Sequence, residues 1–411
     1  MTTILSTLKR NEHLTFRGNV NQGRHGWLRL TPAYSLHIVR QLLETCTKND
    51  LVLDPFSGTG TTPLAAACLG IPSHSVDINP FLVWFGNVKL TAFSPQTGRD
   101  FTVAAEEVID EASRNIGNDF WTPDLHQIEK WWNPETLATL SAIHAEISKR
   151  KRSNIKNLLK VAFCRLMIQR ANVSFGHQSM SFKSRVPSLF DRMNEVGEDC
   201  VSFMDSVFFI RQGLENEIPL AESTVFEGDS RNLENVLPEK NYSVVITSPP
   251  YPNRMSYVRE LRPYMYWLGY LSSGRQAGEL DWKAIGGTWG CATSLLNQWT
   301  PPESVSIPFS EFDGILCEIG RSNPLLARYV HRYFVDTLFH IRSLKKVLRN
   351  GARCHYIVGN SKFFDTVLPV EKIYASLFQS EGFGDVSIDA IRKRNSKKEL
   401  FEYTVTANYR R

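Results

Sequence analysis

A chain of 411 residues with 42% hydrophobic and 22% charged side chains can bury a large core, and its length suits a catalytic domain with insertions or a second domain. Its formal charge of +5, from 47 Lys and Arg against 42 Asp and Glu, is compatible with a polyanionic partner without requiring one. The seven cysteines show no Cys-x-x-Cys pair or zinc spacing, and no leader, bilayer-spanning run or repeat is visible, so a cytoplasmic protein with reduced thiols and no metal is expected.

The first predicted helix covers residues 35–43 and follows Arg29-Leu30-Thr31-Pro32-Ala33-Tyr34. Leu51-Val52-Leu53-Asp54-Pro55-Phe56-Ser57-Gly58-Thr59-Gly60-Thr61-Thr62 then reads as a strand running into a glycine turn, with a helix over 63–70 behind it. Glycines let such a turn approach a ligand closely, and the helix start offers free amides. The turn lacks the Lys-Ser/Thr ending of a phosphate-binding loop and the third glycine of a dinucleotide fingerprint. A second strand, 74–76, ends in Asp77-Ile78-Asn79-Pro80, which puts Asp77 at a strand tip about twenty residues after the turn, where an acid can bind ribose hydroxyls. A glycine turn alone also occurs as plain structure; the acid after the next strand strengthens the ligand reading.

Residues 94–220 are an insertion that reads mostly helical, with helices expected at 134–147 and 155–168. Lys149-Arg150-Lys151-Arg152 between them is either a solvated turn or a phosphate contact. The segment 172–185 mixes hydrogen-bonding, aromatic and basic side chains, as an ordinary loop or a DNA-contacting one would. His177 within it has no companion at ligand spacing.

A third strand-like stretch precedes Phe226-Glu227-Gly228-Asp229, and Tyr242-Ser243-Val244-Val245-Ile246 is a β-branched run typical of a buried parallel strand. Thr247-Ser248-Pro249-Pro250-Tyr251 ends that strand abruptly, and its prolines hold the turn rigid at the carboxyl edge, where open α/β sheets bind ligands. A serine hydroxyl and a proline carbonyl can accept from an amino group, while a tyrosine ring can stack on a base. Taken alone, the tripeptide Pro-Pro-Tyr reads more readily as a plain loop. Downstream come an amphipathic helix at 259–268, a second insertion at about 272–324, a helix at 329–348, a turn at 349–351 and a strand at 352–358. Strands 386–391 and 400–407, joined by a basic turn at 392–398, make a closing hairpin.

Asp-Pro-Phe-Ser-Gly-Thr-Gly-Thr-Thr followed by Thr-Ser-Pro-Pro-Tyr resembles the S-adenosylmethionine-dependent amino-methyltransferases of DNA, which make N4-methylcytosine or N6-methyladenine. The resemblance covers roughly residues 20–95, 222–270 and 330–411. It implies a Rossmann-like α/β fold with a mostly parallel seven-stranded sheet ending in an antiparallel hairpin. It also implies cofactor contacts at Asp54, Phe56, Gly58, Gly60, Asp77, Ile78 and Asp229, and a catalytic turn of Ser248, Pro249, Pro250 and Tyr251. Asp229 by itself also reads as a turn or cap residue. The segment 29–34 is similar to the one that closes over the methionine carboxylate.

By that resemblance, Ser248 and Pro249 would accept protons of the exocyclic amine, and the flipped base would stack on Tyr251. None of the cysteines follows a proline, which argues against carbon-5 methylation of cytosine. Serine at the head of the motif favours cytosine N4 over adenine N6. The expected organisation is 1–93 and 221–411 as the two halves of the catalytic domain, with 94–220 the candidate target-recognition region and a second insertion at 272–324. The large insertion lies before Asp229, unlike the usual layouts of the family. Double-stranded DNA is the expected substrate, with a cognate restriction endonuclease as a partner acting on the same site. An RNA base methyltransferase and a non-catalytic nucleic-acid-binding protein are the other readings.

Overall fold

The computed structural model describes residues 11, 14–30, 33–174, 181–183, 195–253, 256–394 and 399–410. Seven strands build one sheet: β1 (Val52–Asp54), β2 (Ser73–Asp77), β3 (Ser223–Glu227), β4 (Tyr242–Thr247), β5 (Leu348–Gly359), β6 (Phe383–Lys393) and β7 (Phe401–Tyr409). Their order is β6-β7-β5-β4-β1-β2-β3. β1 to β5 pair in parallel, and β7 runs antiparallel to both β5 and β6. The mostly parallel sheet with its closing hairpin is therefore as the motifs implied. All three residues of β1 and all six of β4 are buried, as expected of central strands covered on both faces.

The chain steps outward from β1 to β3, then returns across the sheet to lay β4 against the other side of β1. The strand order reverses there, with Val52 opposite Val244 and Leu53 opposite Val245. A ligand crevice is expected outside the carboxyl ends at such a reversal. Those ends carry Asp54 and Thr247, and the Thr247 hydroxyl donates to Asp54 Oδ1 at 2.6 Å.

Helices α1 (Leu36–Leu43), α2 (Thr61–Cys68) and α3 (Pro80–Leu90) follow the N-terminal segment, β1 and β2 respectively. Gly60 precedes α2 at φ 70°, a left-handed conformation that a side chain adopts only under strain. Gly60→Ala is expected to cost about 1–2 kcal/mol of stability, read as a lowered midpoint in thermal unfolding; an unchanged midpoint would remove the backbone argument. Asn79 caps α3 by accepting from the Phe81 amide at 3.0 Å, and Pro80 supplies the first helical residue.

The insertion between α3 and β3 contributes α4 (Pro95–Asn115), α5 (Pro134–Lys149), α6 (Ser153–Gln169) and α7 (Glu195–Asn216). Their shared core continues into α8 (Tyr257–Trp267), the helix after the Pro-Pro-Tyr turn. Trp267 meets Trp132 and Phe163 at ring-centroid distances of 5.9 and 5.3 Å, and Tyr264 stacks on Phe81 at 5.1 Å. The helical insertion is thus packed against the element that follows the turn, and the aromatics of α8 are core as expected. In the basic run, Lys149, Arg150 and Arg152 pair with Glu146, Glu107, Glu111 and Asp100, so these three cations serve the insertion's own surface.

The second insertion holds α9 (Gly274–Lys283), α10 (Cys291–Gln298) and α11 (Phe312–Ser322), followed by α12 (Pro324–Lys345) and, after β5, α13 (Val370–Ser380). Two sequence expectations need correction here. The helix expected to reach 348 stops at Lys345, and the turn expected at 349–351 lies within β5. Leu348 already pairs with Tyr242, and a register shift before the Val244–Arg353 pair absorbs the extra residues, with Gly351 at φ 80°. Thr31 and Pro32, most of the polar segment including His177, and residues 395–398 of the basic turn lie outside the described residues. No helix among the described residues is long and apolar enough to cross a membrane.

Candidate active site

One cleft of about 470 Å³ opens at the carboxyl edge of the sheet beside the β1/β4 reversal. It is lined by Phe56, Gly58, Asp77, Ile78 and Asp229 on one side and by Ser248, Pro249, Pro250 and Tyr251 on the other. Nine of the eleven residues singled out from the sequence therefore share one cavity. The other two, Asp54 and Gly60, do not line it.

Asp54 is fully buried and ties the reversal together. Its carboxylate accepts from Thr247 and from the Phe56 amide at 3.1 Å, and Tyr34 Oη lies 3.4 Å away. Tyr34 is also hydrogen-bonded to Thr62, whose hydroxyl donates to the Ile246 carbonyl at 3.2 Å. Burial pushes the Asp54 carboxyl up to about 6 despite these donors. Its observed role is to hold the turn against β4. Gly60 supplies the left-handed residue that starts α2 and donates its amide to the Ser57 carbonyl at 2.8 Å.

Asp77 stands at the tip of β2. Its Oδ2 accepts from the Gly58 amide at 2.8 Å and its Oδ1 from the Asn79 amide at 2.9 Å. Burial pushes this carboxyl up to about 7, opposed by the backbone donors and reinforced by the charge of Asp54. Each carboxylate oxygen keeps a second lone-pair direction, so Asp77 can still accept hydroxyl donors from the cleft. Ile78 and Phe56 add apolar surface, and the Phe56 ring is braced edge-on by His340 at 4.7 Å.

Asp229 is held by Arg231, which donates from Nη2 to Oδ2 at 2.7 Å and from Nε to Oδ1 at 3.0 Å. Arg231 also reaches Asp336 Oδ1 at 2.6 Å and the Lys283 carbonyl at 2.7 Å. The acid is therefore fixed between β3, α12 and the end of α9. Lys283, Ala284 and Ile285 bring the second insertion into the cleft wall.

Across the cleft, the single Ser248 hydroxyl proton has two acceptors in reach, the Ile357 carbonyl at 3.1 Å and Tyr251 Oη at 3.4 Å. Whichever it chooses, the serine lone pairs remain available to an incoming amine. Tyr251 Oη donates to Glu402 Oε1 at 2.9 Å, and Glu402 Oε2 accepts from Arg392 Nε at 2.8 Å. The Arg394 guanidinium lies 4.9 Å from the Tyr251 ring centroid. Tyr333 Oη donates to the Pro250 carbonyl at 2.7 Å and fixes the far side of the turn. Gly359 is required at this point, because a Cβ there would come within 2.9 Å of Tyr251 Cε2.

Sequence reading placed Tyr34 and Thr62 within site motifs without giving them a role, and missed Arg231, Asp336 and Glu402. The basic character of the hairpin turn was the signal for Arg392 and Arg394. Among the described residues, no group of three or more His, Cys, Asp or Glu side chains is placed to hold a metal ion. The cleft suits a nucleoside: carboxylates at two adjacent strand tips suit ribose hydroxyls and a ring amine, and Ile78 and Phe56 suit a flat base.

Residues 34–84 match a DNA methylase family model. The chain is 22% identical to the type II methyltransferase M.BsoBI of Geobacillus stearothermophilus, over 95% of this chain and 85% of that protein. It is 23% identical to M.AvaI of Nostoc sp., over 94% and 85%. For M.MvaI of Kocuria varians the identity is 21%, over 79% of this chain and 73% of that protein. The likenesses to M.BsoBI and M.AvaI span both insertions as well as the sheet.

Proposed function

From its place in the N4/N6 family of DNA amino-methyltransferases, we propose that this chain methylates the N4 amine of a cytosine flipped out of double-stranded DNA, as the modification enzyme of a restriction system. The observation that carries the reading is the single cleft whose two sides are Asp77 with Asp229 and Ser248 with Tyr251. The first pair suits the cofactor and the second the amine.

In this reading Asp77 binds the ribose, Ile78 and Phe56 flank the adenine, and Asp229 accepts from its amino group. S-adenosylmethionine supplies an electrophilic methyl group when bound. The chain's own residues prepare the nucleophile. A cytosine amine is conjugated with its ring and attacks poorly. Accepting its protons at Ser248 Oγ and the Pro249 carbonyl localises the lone pair on nitrogen, so positioning and oriented acceptors do most of the catalytic work. Tyr251 stacks on the base once it has left the duplex.

Transfer of tritiated methyl from S-adenosylmethionine into duplex DNA, with none into RNA, is the expected result of incubating the protein with each; label in RNA alone would reverse the substrate. A pH dependence follows from Asp77. The ribose hydroxyls need an ionised acceptor, and burial has raised this carboxyl to about 7. Below that pH the group must lose a proton on binding, so cofactor affinity should fall by up to about tenfold per unit as pH drops from about 8 to about 6. Calorimetric affinities that stay flat over that range would take ribose binding away from Asp77.

A further inference from the structure

The geometry points to Glu402 as the acceptor of the proton that the amine must lose, reached through Ser248 and Tyr251; this inference rests on the methyl-transfer reading above. When the new N–C bond forms and the S–C bond of the sulfonium breaks, the nitrogen carries one proton too many. Ser248 and the Pro249 carbonyl can accept hydrogen bonds, yet neither is a base of useful strength near neutral pH.

A path away from the nitrogen is built into the site. Turning the Ser248 hydroxyl from the Ile357 carbonyl at 3.1 Å to Tyr251 Oη at 3.4 Å leaves Ser248 donating to Tyr251, while Tyr251 already donates to Glu402 at 2.9 Å. Both donors then point the same way. As Ser248 takes the amine proton, its own proton passes to Tyr251 and the tyrosine proton passes to Glu402 Oε1, so each oxygen in the middle ends as it began. The released nitrogen is neutral and methylated, and Glu402 ends as a neutral acid.

The carboxylate is held ready to accept. The Glu402 side chain is only 8% exposed, and Arg392, its cross-strand partner on β6, donates to Oε2 at 2.8 Å. The charged and titratable groups around the relay are Arg392 and Arg394 from the β6 side, Tyr251 itself, and Tyr34 and Tyr257 near Tyr251. Glu402 is the one carboxylate in the described relay. Glu260 also lines the cleft, from helix α8.

The test compares wild type, Glu402→Gln and Tyr251→Phe in single-turnover methyl transfer to unmethylated plasmid DNA across pH, with calorimetric binding of S-adenosylmethionine alongside. Glu402→Gln should slow transfer by about 10²- to 10⁴-fold and keep its cofactor affinity. A wild-type rate, or a rate that falls only in step with cofactor affinity, overturns the relay. If Glu402→Gln fails to fold and so to bind cofactor, Tyr251→Phe carries the test: it keeps the stacking ring and cuts the path, so a comparable loss is expected, and wild-type turnover contradicts the inference. Wild-type protein that methylates no DNA base overturns the functional reading and the relay with it, whereas an active wild type beside an equally active Glu402→Gln overturns the relay alone.

Discussion

Ser248→Ala is expected to lower methyl transfer by about 10²- to 10³-fold while S-adenosylmethionine binding stays near wild type. The separation follows from position. Ser248 stands on the Tyr251 side of the cleft, and its hydroxyl is engaged with Ile357 and Tyr251 instead of with the Asp77 or Asp229 groups. Removing Oγ takes away an oriented acceptor for the amine and leaves the carboxylates at the β2 and β3 tips untouched. The small volume change at the end of β4 is tolerable, because the neighbouring Thr247 hydroxyl still bonds Asp54 and Tyr333 still holds Pro250. Single-turnover rates and calorimetry measured on the same preparation decide the matter. Parallel loss of rate and affinity would show that Ser248 supports the cleft as a whole and has no special part in activating the amine.

Asp77→Ala should do the reverse, weakening cofactor binding by about 1.5–3 kcal/mol, roughly ten- to over a hundredfold in Kd. Two effects add. The ribose loses its charged acceptor, and the Gly58 and Asn79 amides lose theirs, so the glycine turn is no longer anchored to the tip of β2. Asp77→Asn separates them: it keeps one oxygen acceptor of the same shape and removes the charge. Its affinity should lie between wild type and Asp77→Ala and lose the pH dependence below about 7. An unchanged affinity in Asp77→Ala would remove this residue from the cofactor site.

The sheet was legible because its central strands announce themselves. Val52 to Asp54 and Tyr242 to Thr247 are apolar or β-branched runs stopped by glycine or proline, and their burial on both faces requires that pattern. Nine of eleven candidate site residues reached one cleft for the same reason: they sit at strand ends, where a short local motif determines position. The residues that escaped sequence reading are joined over long separations. Tyr251 meets Glu402 151 residues away, and Arg231 meets Asp336 105 residues away, pairings that depend on how β7 and α12 close over the sheet. Asp54 is a case of its own. Its motif placed it at the cofactor turn, yet its carboxylate faces Thr247 and the Tyr34 network, which only the β1/β4 pairing brings near. At the end of α12, the Arg-Asn-Gly sequence has turn composition, but Leu348 is taken up by pairing with Tyr242, and the strand bulges instead of turning.

The proposed activity of this cleft is methylation of the N4 amine of cytosine in DNA. Its most direct test is to incubate the purified protein with unmethylated plasmid and S-adenosylmethionine, digest the DNA to nucleosides and identify the product by mass spectrometry. N4-methylcytosine is the predicted product. N6-methyladenine would keep the amine chemistry of Ser248 and Pro249 and contradict the choice of base, and 5-methylcytosine would contradict the mechanism itself.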